Sequence, residues 1–309
     1  SSGDLEEHRR RVICGPTAAG KSAVALWLAE RFGASIISAD SRQIYRGFDI
    51  GTATPSPDER RRVPHYGIDI LDPTARYSAA AWAADAEGWF ADVARTGRAP
   101  LIVGGTGFYL RALFGPLFHE PPLDAERRRA LAGVLAQMPT DALRRWCTVL
   151  DPARAHLGRT QLLRAIEVAL LTGRRVSTLH REAARPSRWS ARYLLVDPGA
   201  VLAARIETRV DAMLHAGWLD EARRLAASVP RGAPAWNAAG YNVIRAVADG
   251  ELSLVEGRAR VVVATRQYAK RQRTWFRHQL SGAPVTILDP ARADWRAVIE
   301  RWWRGDEEA

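Results

Sequence analysis

Eleven residues, Val12-Ile13-Cys14-Gly15-Pro16-Thr17-Ala18-Ala19-Gly20-Lys21-Ser22, constrain what this chain can fold into more than any others. The last eight read G-x-x-x-x-G-K-[ST]. A short apolar run precedes them, and an alanine- and leucine-rich run, 23–32, follows and closes at Gly33. Strand, tight loop and helix are therefore expected in that order. Gly15 and Gly20 let the backbone curl so that its N–H groups converge on phosphate oxygens, and the new helix adds the positive end of its dipole. Lys21 supplies a mobile ammonium, and the Ser22 hydroxyl suits a phosphate-borne Mg²⁺. The motif alone leaves open which phosphate is held and whether it is transferred.

A second apolar run, 34–39, completes a βαβ unit over residues 12–40, about the length of a parallel crossover. Parallel strands end on one edge of their sheet, where ligands bind. Asp40, closing that run, should then face the same crevice as the phosphate loop. The segment Asp40-Ser41-Arg42-Gln43-Ile44-Tyr45 is dense in groups able to read base edges. A third strand, 100–103, runs into Gly104-Gly105-Thr106-Gly107. An ATP-hydrolysing protein of this type usually ends such a strand with a Mg²⁺-holding Asp. Here glycines permit close approach, and Thr106 offers a neutral hydroxyl. Residues 51–57 read as loop, 65–71 as a short strand, and 78–96 as a helix with Ser78 as N-cap and Gly97 as stop.

From Pro121 the pattern turns helical, over 124–137, 140–150, 160–172 and 177–183, with no strand until 193–196. The expected architecture is α/β: a P-loop NTPase-like parallel sheet core with a mostly helical insertion domain. The core comprises 9–116 and 190–309, and the insertion 117–189. Beyond Asp197-Pro198, at another strand's end, Ile206, Val210, Met213 and Leu214 mark a helix at spacings of three and four. His215 reads as a surface residue at its end. A second helix covers 219–229. Ser253-Leu254-Val255-Glu256 is a capping box opening a long helix, 253–277, and 284–288 reads as a last edge strand.

With 309 residues, 47% of them hydrophobic, the chain can bury one large and one smaller core. It has no apolar run of membrane-spanning length and no signal-peptide pattern, and Ser1-Ser2-Gly3 reads as a tail. Two cysteines, Cys14 and Cys147, exclude a disulfide framework and a cysteine zinc finger and suit a reducing compartment. A cytoplasmic monomer with no membrane partner is expected.

The net charge of +11 points to a polyanion. All but two of the 45 basic residues are arginine, however, so general basicity says little. The two lysines say more, because a position that keeps Lys against that background needs a compact, rotatable ammonium. One is Lys21. The other, Lys270, lies in a stretch from Arg258 to Arg277 that holds seven basic residues and no acid. Arg266, Lys270, Arg273 and Arg277 share one helical face, interleaved with Tyr268, Trp275 and Phe276. Such a stripe is either a solvated face or a nucleic-acid surface with stacking aromatics.

Five blocks together resemble the tRNA dimethylallyltransferase (tRNA isopentenyltransferase) family: GPTAAGKS, ISADSRQIYRGFDIGTA, LIVGGTGFYLRAL, LLRAIEVALLTGR and ATRQYAKRQRTWFR. They cover most of residues 11–280 in the family's order. The resemblance implies transfer of a dimethylallyl group from dimethylallyl diphosphate, with Mg²⁺, to the exocyclic amine of the adenosine just 3′ of the anticodon. Asp40 matches the family's general base and Thr106 the threonine near the reacting amine. Gly15, Pro16, Thr17, Ala18, Ala19, Gly20, Lys21 and Ser22 match the diphosphate cradle, with Ser22 at the metal.

For the tRNA anticodon stem-loop, Asp40, Ser41, Arg42 and Gln43 match contacts around the target adenine. Arg128, Gln161, Leu162, Leu163, Arg164 and Ala165 match contacts from the insertion. Asn237, Gly240 and Tyr241 match a further loop, and Lys270, Arg271, Gln272, Arg273, Trp275 and Arg277 the basic helix. Gln161 stands where Arg is common and Asn237 where Arg or Gln is usual. These departures bear on those contacts and not on the class. Family members of eukaryotes add a zinc finger that two cysteines cannot supply, so the resemblance is to the bacterial type. The residues themselves also admit a small-molecule P-loop kinase, a prenyltransferase of free adenine nucleotides, or an RNA-binding protein that senses nucleotide.

Overall fold

A computed structural model describes residues 8–115, 123–183, 187–280 and 283–306. The tail at Ser1-Ser2-Gly3 and the expected boundary at 116/117 lie outside them. The chain divides into two compact units, one of Ser1–Phe114 with Arg188–Ala309 and one of Gly115–Ser187.

The first unit is built on six parallel strands: β1 (Arg9–Cys14), β2 (Ala34–Ser38), β3 (His65–Tyr66), β4 (Ala99–Gly104), β5 (Ser190–Val196) and β6 (Val285–Leu288). Their order is β3-β2-β4-β1-β5-β6. Val12, Ile13 and Cys14 of the central strand are wholly buried, as a parallel sheet covered on both faces requires. β4 lies between β1 and β2, with Ile13 paired to Val103 and Ser38 to Val103 on its other side. The loops after β1, β2 and β4 therefore leave adjacent positions on one edge. The strand expected over 65–71 shrinks to two residues, because Gly67 (φ 79°) and Asp69 (φ 52°) turn the backbone out of the extended region.

The helix Lys21–Phe32 buries Val24, Ala25, Leu28 and Ala29 and ends at left-handed Gly33. Ser78 caps Ala79–Arg95 by accepting from the Ala81 N–H, and Ser253 caps Leu254–Gln279 from the Glu256 N–H. Such caps stabilise a helix by roughly 0.5–2 kcal/mol. Four helices escape the sequence reading: Pro57–Arg62, Gly107–Phe114, Tyr241–Ala248 and Trp295–Arg304. The first carried a legible start, Ser56 as N-cap and Pro57 at the first position. The last buries Val298, Ile299, Trp302 and Trp303 and stacks Trp303 on Phe32 at 5.1 Å. His215 ends the helix Leu202–His215, exposed as expected. No helix among the described residues is long and apolar enough to cross a membrane.

The second unit is wholly helical among its described residues: Ala125–Leu135, Thr140–Leu150, Arg159–Thr172 and Val176–Ala183, with one short 3₁₀ turn. Its core is Leu135, Leu143, Cys147, Leu162, Ala165 and Ile166. Asp151 is fully buried there. Its carboxylate accepts from the Ser177 N–H at 3.0 Å and the Ser177 hydroxyl at 2.5 Å, so the charge is satisfied by the helix start it caps.

Candidate active site

The loop after β1 has the backbone its sequence demands. Gly15 (φ 147°) and Gly20 (φ 101°) adopt conformations that side chains resist, and Ala18 joins them at φ 62°. A Cβ on Gly15 would fall 2.2 Å from the Val196 carbonyl oxygen, so no larger residue fits. The left-handed Ala18 costs roughly 1–2 kcal/mol, a strain of the kind stored at functional loops. The Lys21 ammonium donates to the Gly15 and Pro16 carbonyls at 2.8 and 2.7 Å. Ser22 is exposed at the mouth of the adjoining cleft, which encloses about 590 Å³.

Four cations line that cleft, Lys21, Arg42, Arg205 and Arg209, and Asp40 is the one acid in its lining. Burial pushes the Lys21 pKa down to about 7, helped by repulsion from Arg209 and opposed by Asp40. Burial, then Arg42, lowers Arg209 to about 10. Arg205 donates to the Ala18 carbonyl at 2.8 Å, while Arg209 makes no hydrogen bond or ion pair among the described residues. A concave site that suppresses its own positive charge is built for an anion.

Asp40 sits at the end of β2, where its Oδ1 accepts from the Arg42 N–H at 2.8 Å and lies 3.5 Å from the Arg42 Nε. Burial opposes the Arg42 charge, but Asp40 outweighs it and holds the guanidinium above its ordinary pKa. The guanidinium also lies 4.8 Å from the Tyr268 ring centre. Thr106, at the end of β4, accepts from the Ser41 N–H at 2.9 Å, and its own N–H donates to the Ala39 carbonyl at 3.1 Å. The expected meeting of phosphate loop, Asp40 and Thr106 at one sheet edge is what the fold produces. Phe108, two residues on and 66% exposed, adds an aromatic face that the sequence reading passed over.

Several residues expected at an RNA surface are instead committed to structure. Gln272 is buried. Its carbonyl accepts from the Thr17 N–H at 2.8 Å and its amide donates to the Gly105 carbonyl at 3.1 Å, tying the phosphate loop to the glycine–threonine loop. The Gln43 amide donates to the Thr52 and Ala53 carbonyls, and its oxygen accepts from the Ser38 hydroxyl. Tyr241 is fully buried; its hydroxyl donates to Glu221 at 2.5 Å and accepts from the Gly51 N–H. Gly240 packs where a Cβ would strike Trp218, and Trp275 fills the space beside Gly107. Leu162 and Ala165 belong to the insertion's core. Each of these is engaged in packing or hydrogen bonding, while Gln43, Gly240 and Trp275 keep part of their surface exposed and Gln43 also lines the cleft.

Other expected residues do present themselves. Ser41 and Arg42 are partly buried at the cleft, and Lys270, Arg271, Arg277, Asn237 and Gln161 are exposed. Arg273 grips Asp197 through two hydrogen bonds of 2.8 and 2.6 Å, and Arg266 lies 3.5 Å from Glu207. The acids missing from the basic stretch are thus supplied by other segments. In the insertion, Leu163 is half-buried, and Arg128 and Arg164 both reach Glu167, at 3.2 and 3.4 Å. Arg205 and Arg209 went unread. Their signal was a spacing of four on the polar face of a helix that follows a strand's C-terminal edge.

The chain is similar to known proteins along nearly its whole length. The family model described as IPP transferase matches residues 43–279, and that of isopentenyl transferase residues 8–65. A tRNA dimethylallyltransferase of Deinococcus radiodurans is 42% identical over 297 residues, covering 94% of this chain and 96% of its own. One of Halorhodospira halophila is 44% identical, covering 93% and 96%. The crystal structure of a tRNA isopentenylpyrophosphate transferase from Bacillus halodurans superposes with a TM-score of 0.69 at 30% identity, covering 97% of this chain and 96% of that one. A phosphate loop with a carboxylate and a threonine at the neighbouring strand ends, in a sequence alike along nearly its whole length, leaves one assignment: the chain belongs to the IPP transferase family.

Proposed function

We propose that the chain transfers a dimethylallyl group from dimethylallyl diphosphate to the exocyclic amine of the adenosine immediately 3′ of the anticodon in tRNA. The observation that carries this reading is Asp40 at the rim of a cation-lined phosphate cleft, one strand end away from Thr106. The adenine amine attacks C1 of the dimethylallyl group, the C1–O bond breaks with its electrons leaving on the diphosphate, and the amine proton passes to the Asp40 carboxylate. An adenine amine is a weak nucleophile because its lone pair is delocalised, and such general-base help is worth typically about 10²–10⁴-fold.

Thr106, fixed by the Ser41 N–H, orients the amine with its hydroxyl. Lys21, Arg205, Arg209 and the loop N–H groups stabilise charge on the departing diphosphate, which is electrostatic catalysis of a leaving group without phosphoryl transfer. The missing Walker-type acid after β4 then has a reason, since no water or hydroxyl needs aiming at phosphorus. Mg²⁺ fits as a companion of the diphosphate. The Ser22 hydroxyl lines the cleft, where it would reach an ion carried by the diphosphate. When bound, it neutralises diphosphate charge. The exposed Lys270, Arg271 and Arg277 supply phosphate contacts for the tRNA, and the target base leaves its stack to reach Asp40.

Incubation with radiolabelled dimethylallyl diphosphate, Mg²⁺ and unmodified tRNA should label adenosine, and label elsewhere or nowhere refutes the reading. Asp40→Ala should lose at least a hundredfold in turnover with donor affinity kept. Equal loss of donor affinity would make Asp40 a diphosphate or metal residue instead.

A further inference from the structure

A second cleft, of about 700 Å³, opens beside the phosphate cleft, and Arg209 and Ala212 border both. Its walls are Ile50, Ala53, Pro55, Pro57, Met213 and Ala216, apolar side chains that keep part of their surface open to solvent. The volume lies within the range of ligand pockets, roughly 300–1,000 Å³. Two acids at its edge, Asp49 and Asp69, are turned to each other, and Arg60 holds Asp69 at 2.7 Å. Arg60 engages Asp69 through Oδ2, while the buried Asp69 Oδ1 has no hydrogen-bond partner among the described residues, and the apolar side chains supply the rest of the wall. Asp40 and Thr106 do not line it.

We infer that this second cleft receives the apolar tail of longer prenyl diphosphates, of ten to fifteen carbons, whose diphosphate occupies the Lys21–Arg209 site. The inference rests on the diphosphate reading of the phosphate loop and extends it. Arg209, attracted by Asp40 but without a hydrogen bond or close ion pair among the described residues, stands at the junction, where an anion bridging the clefts would place its charge. A tail running past Arg209 into the apolar walls carries C1 away from Asp40. Such a ligand is held without reacting, so longer prenyl diphosphates act as competitive inhibitors whose affinity grows with the apolar surface they bury.

The test is competition binding with inorganic diphosphate, dimethylallyl diphosphate and farnesyl diphosphate, the last below its micelle concentration, together with tRNA turnover. Farnesyl diphosphate should compete with dimethylallyl diphosphate, bind at least tenfold tighter than either reference, and label no adenosine. Ala216→Trp, at an exposed position, and Met213→Asp should each remove that advantage while the Michaelis constant for dimethylallyl diphosphate stays within twofold. Farnesyl binding no tighter than dimethylallyl, an advantage that survives both variants, or farnesyl transfer at a comparable rate would each overturn the inference. Failure of inorganic diphosphate itself to bind would instead bring down the diphosphate reading, and this one with it.

Discussion

Donor binding should take up a proton, and the amount follows from Lys21. In the free protein its pKa is pushed to about 7, first by burial and then by Arg209 and Arg42. A diphosphate in the cleft reverses the balance by adding negative charge where the cations now repel one another. With the ammonium restored in the complex, about 0.9 proton is absorbed per donor at pH 8 and about 0.1 at pH 6. The terminal phosphate has lost its last proton by then, its pKa being about 6, so it contributes little above pH 7. The dissociation constant should rise about 50-fold between pH 7 and pH 9. Calorimetric titration in two buffers of different ionisation enthalpy counts the protons directly. Lys21→Arg, whose guanidinium does not titrate in this range, should abolish the buffer dependence while weakening binding. Identical apparent enthalpies in both buffers at pH 8 would refute the argument. Stability carries the same signature. The folded pKa lies below the unfolded value of about 10.4, so the unfolded chain binds more protons between pH 7 and 10 and stability rises with pH across that window. Saturating donor should flatten the rise.

Two further outcomes test the supports around the site. Gln272→Leu leaves the Thr17 N–H and the Gly105 carbonyl without their partner. It should cost about 1–3 kcal/mol, read as a lower denaturation midpoint, and depress turnover by loosening both loops; an unchanged midpoint would show that neither bond matters. Replacing Lys270 and Arg277 together with Ala should raise the Michaelis constant for tRNA and reduce its log–log salt slope by about 0.7–0.9 for each phosphate deprived of its cation. Arg273→Ala should instead strand Asp197 and register mainly in stability, and a salt slope unchanged by the first pair would return the helix to a solvated face.

Most of the fold was legible because its signals are local. The strand–loop–helix of the phosphate loop, the caps at Ser78 and Ser253 and the helical periodicity of the insertion each lie within a few residues. What escaped depends on partners distant in sequence. Gln272 looked like one more polar residue on a basic helix, and only its approach to Thr17, 255 positions away, reveals a strut. Arg273 looked free because the stretch around it lacks acids, whereas Asp197 waits at the end of β5. The helix Tyr241–Ala248 was hidden for a similar reason: its first residue is spent on Glu221 and Gly51, contacts no periodicity announces.

The same contrast bears on how a phosphate loop would serve a departing group in the proposed reaction. Its glycines, lysine and serine fix only that a polyphosphate is held. The chemistry is decided by what the sheet edge brings within reach, and β4 lying between β1 and β2 is the decisive feature. It puts Thr106 next to Asp40, with the Thr106 hydroxyl on the Ser41 N–H, where a kinase would need an acid directed at metal and phosphorus. Gln272 then binds the β4 loop to the phosphate loop, so under the proposed reaction the group that orients the nucleophile and the group that grips the leaving diphosphate would move as one. Displacement at carbon needs the amine and the leaving oxygen held in line on opposite sides of C1, and a rigid tie between the two loops preserves that alignment. Weakening the tie should therefore slow transfer more than it weakens binding of either substrate.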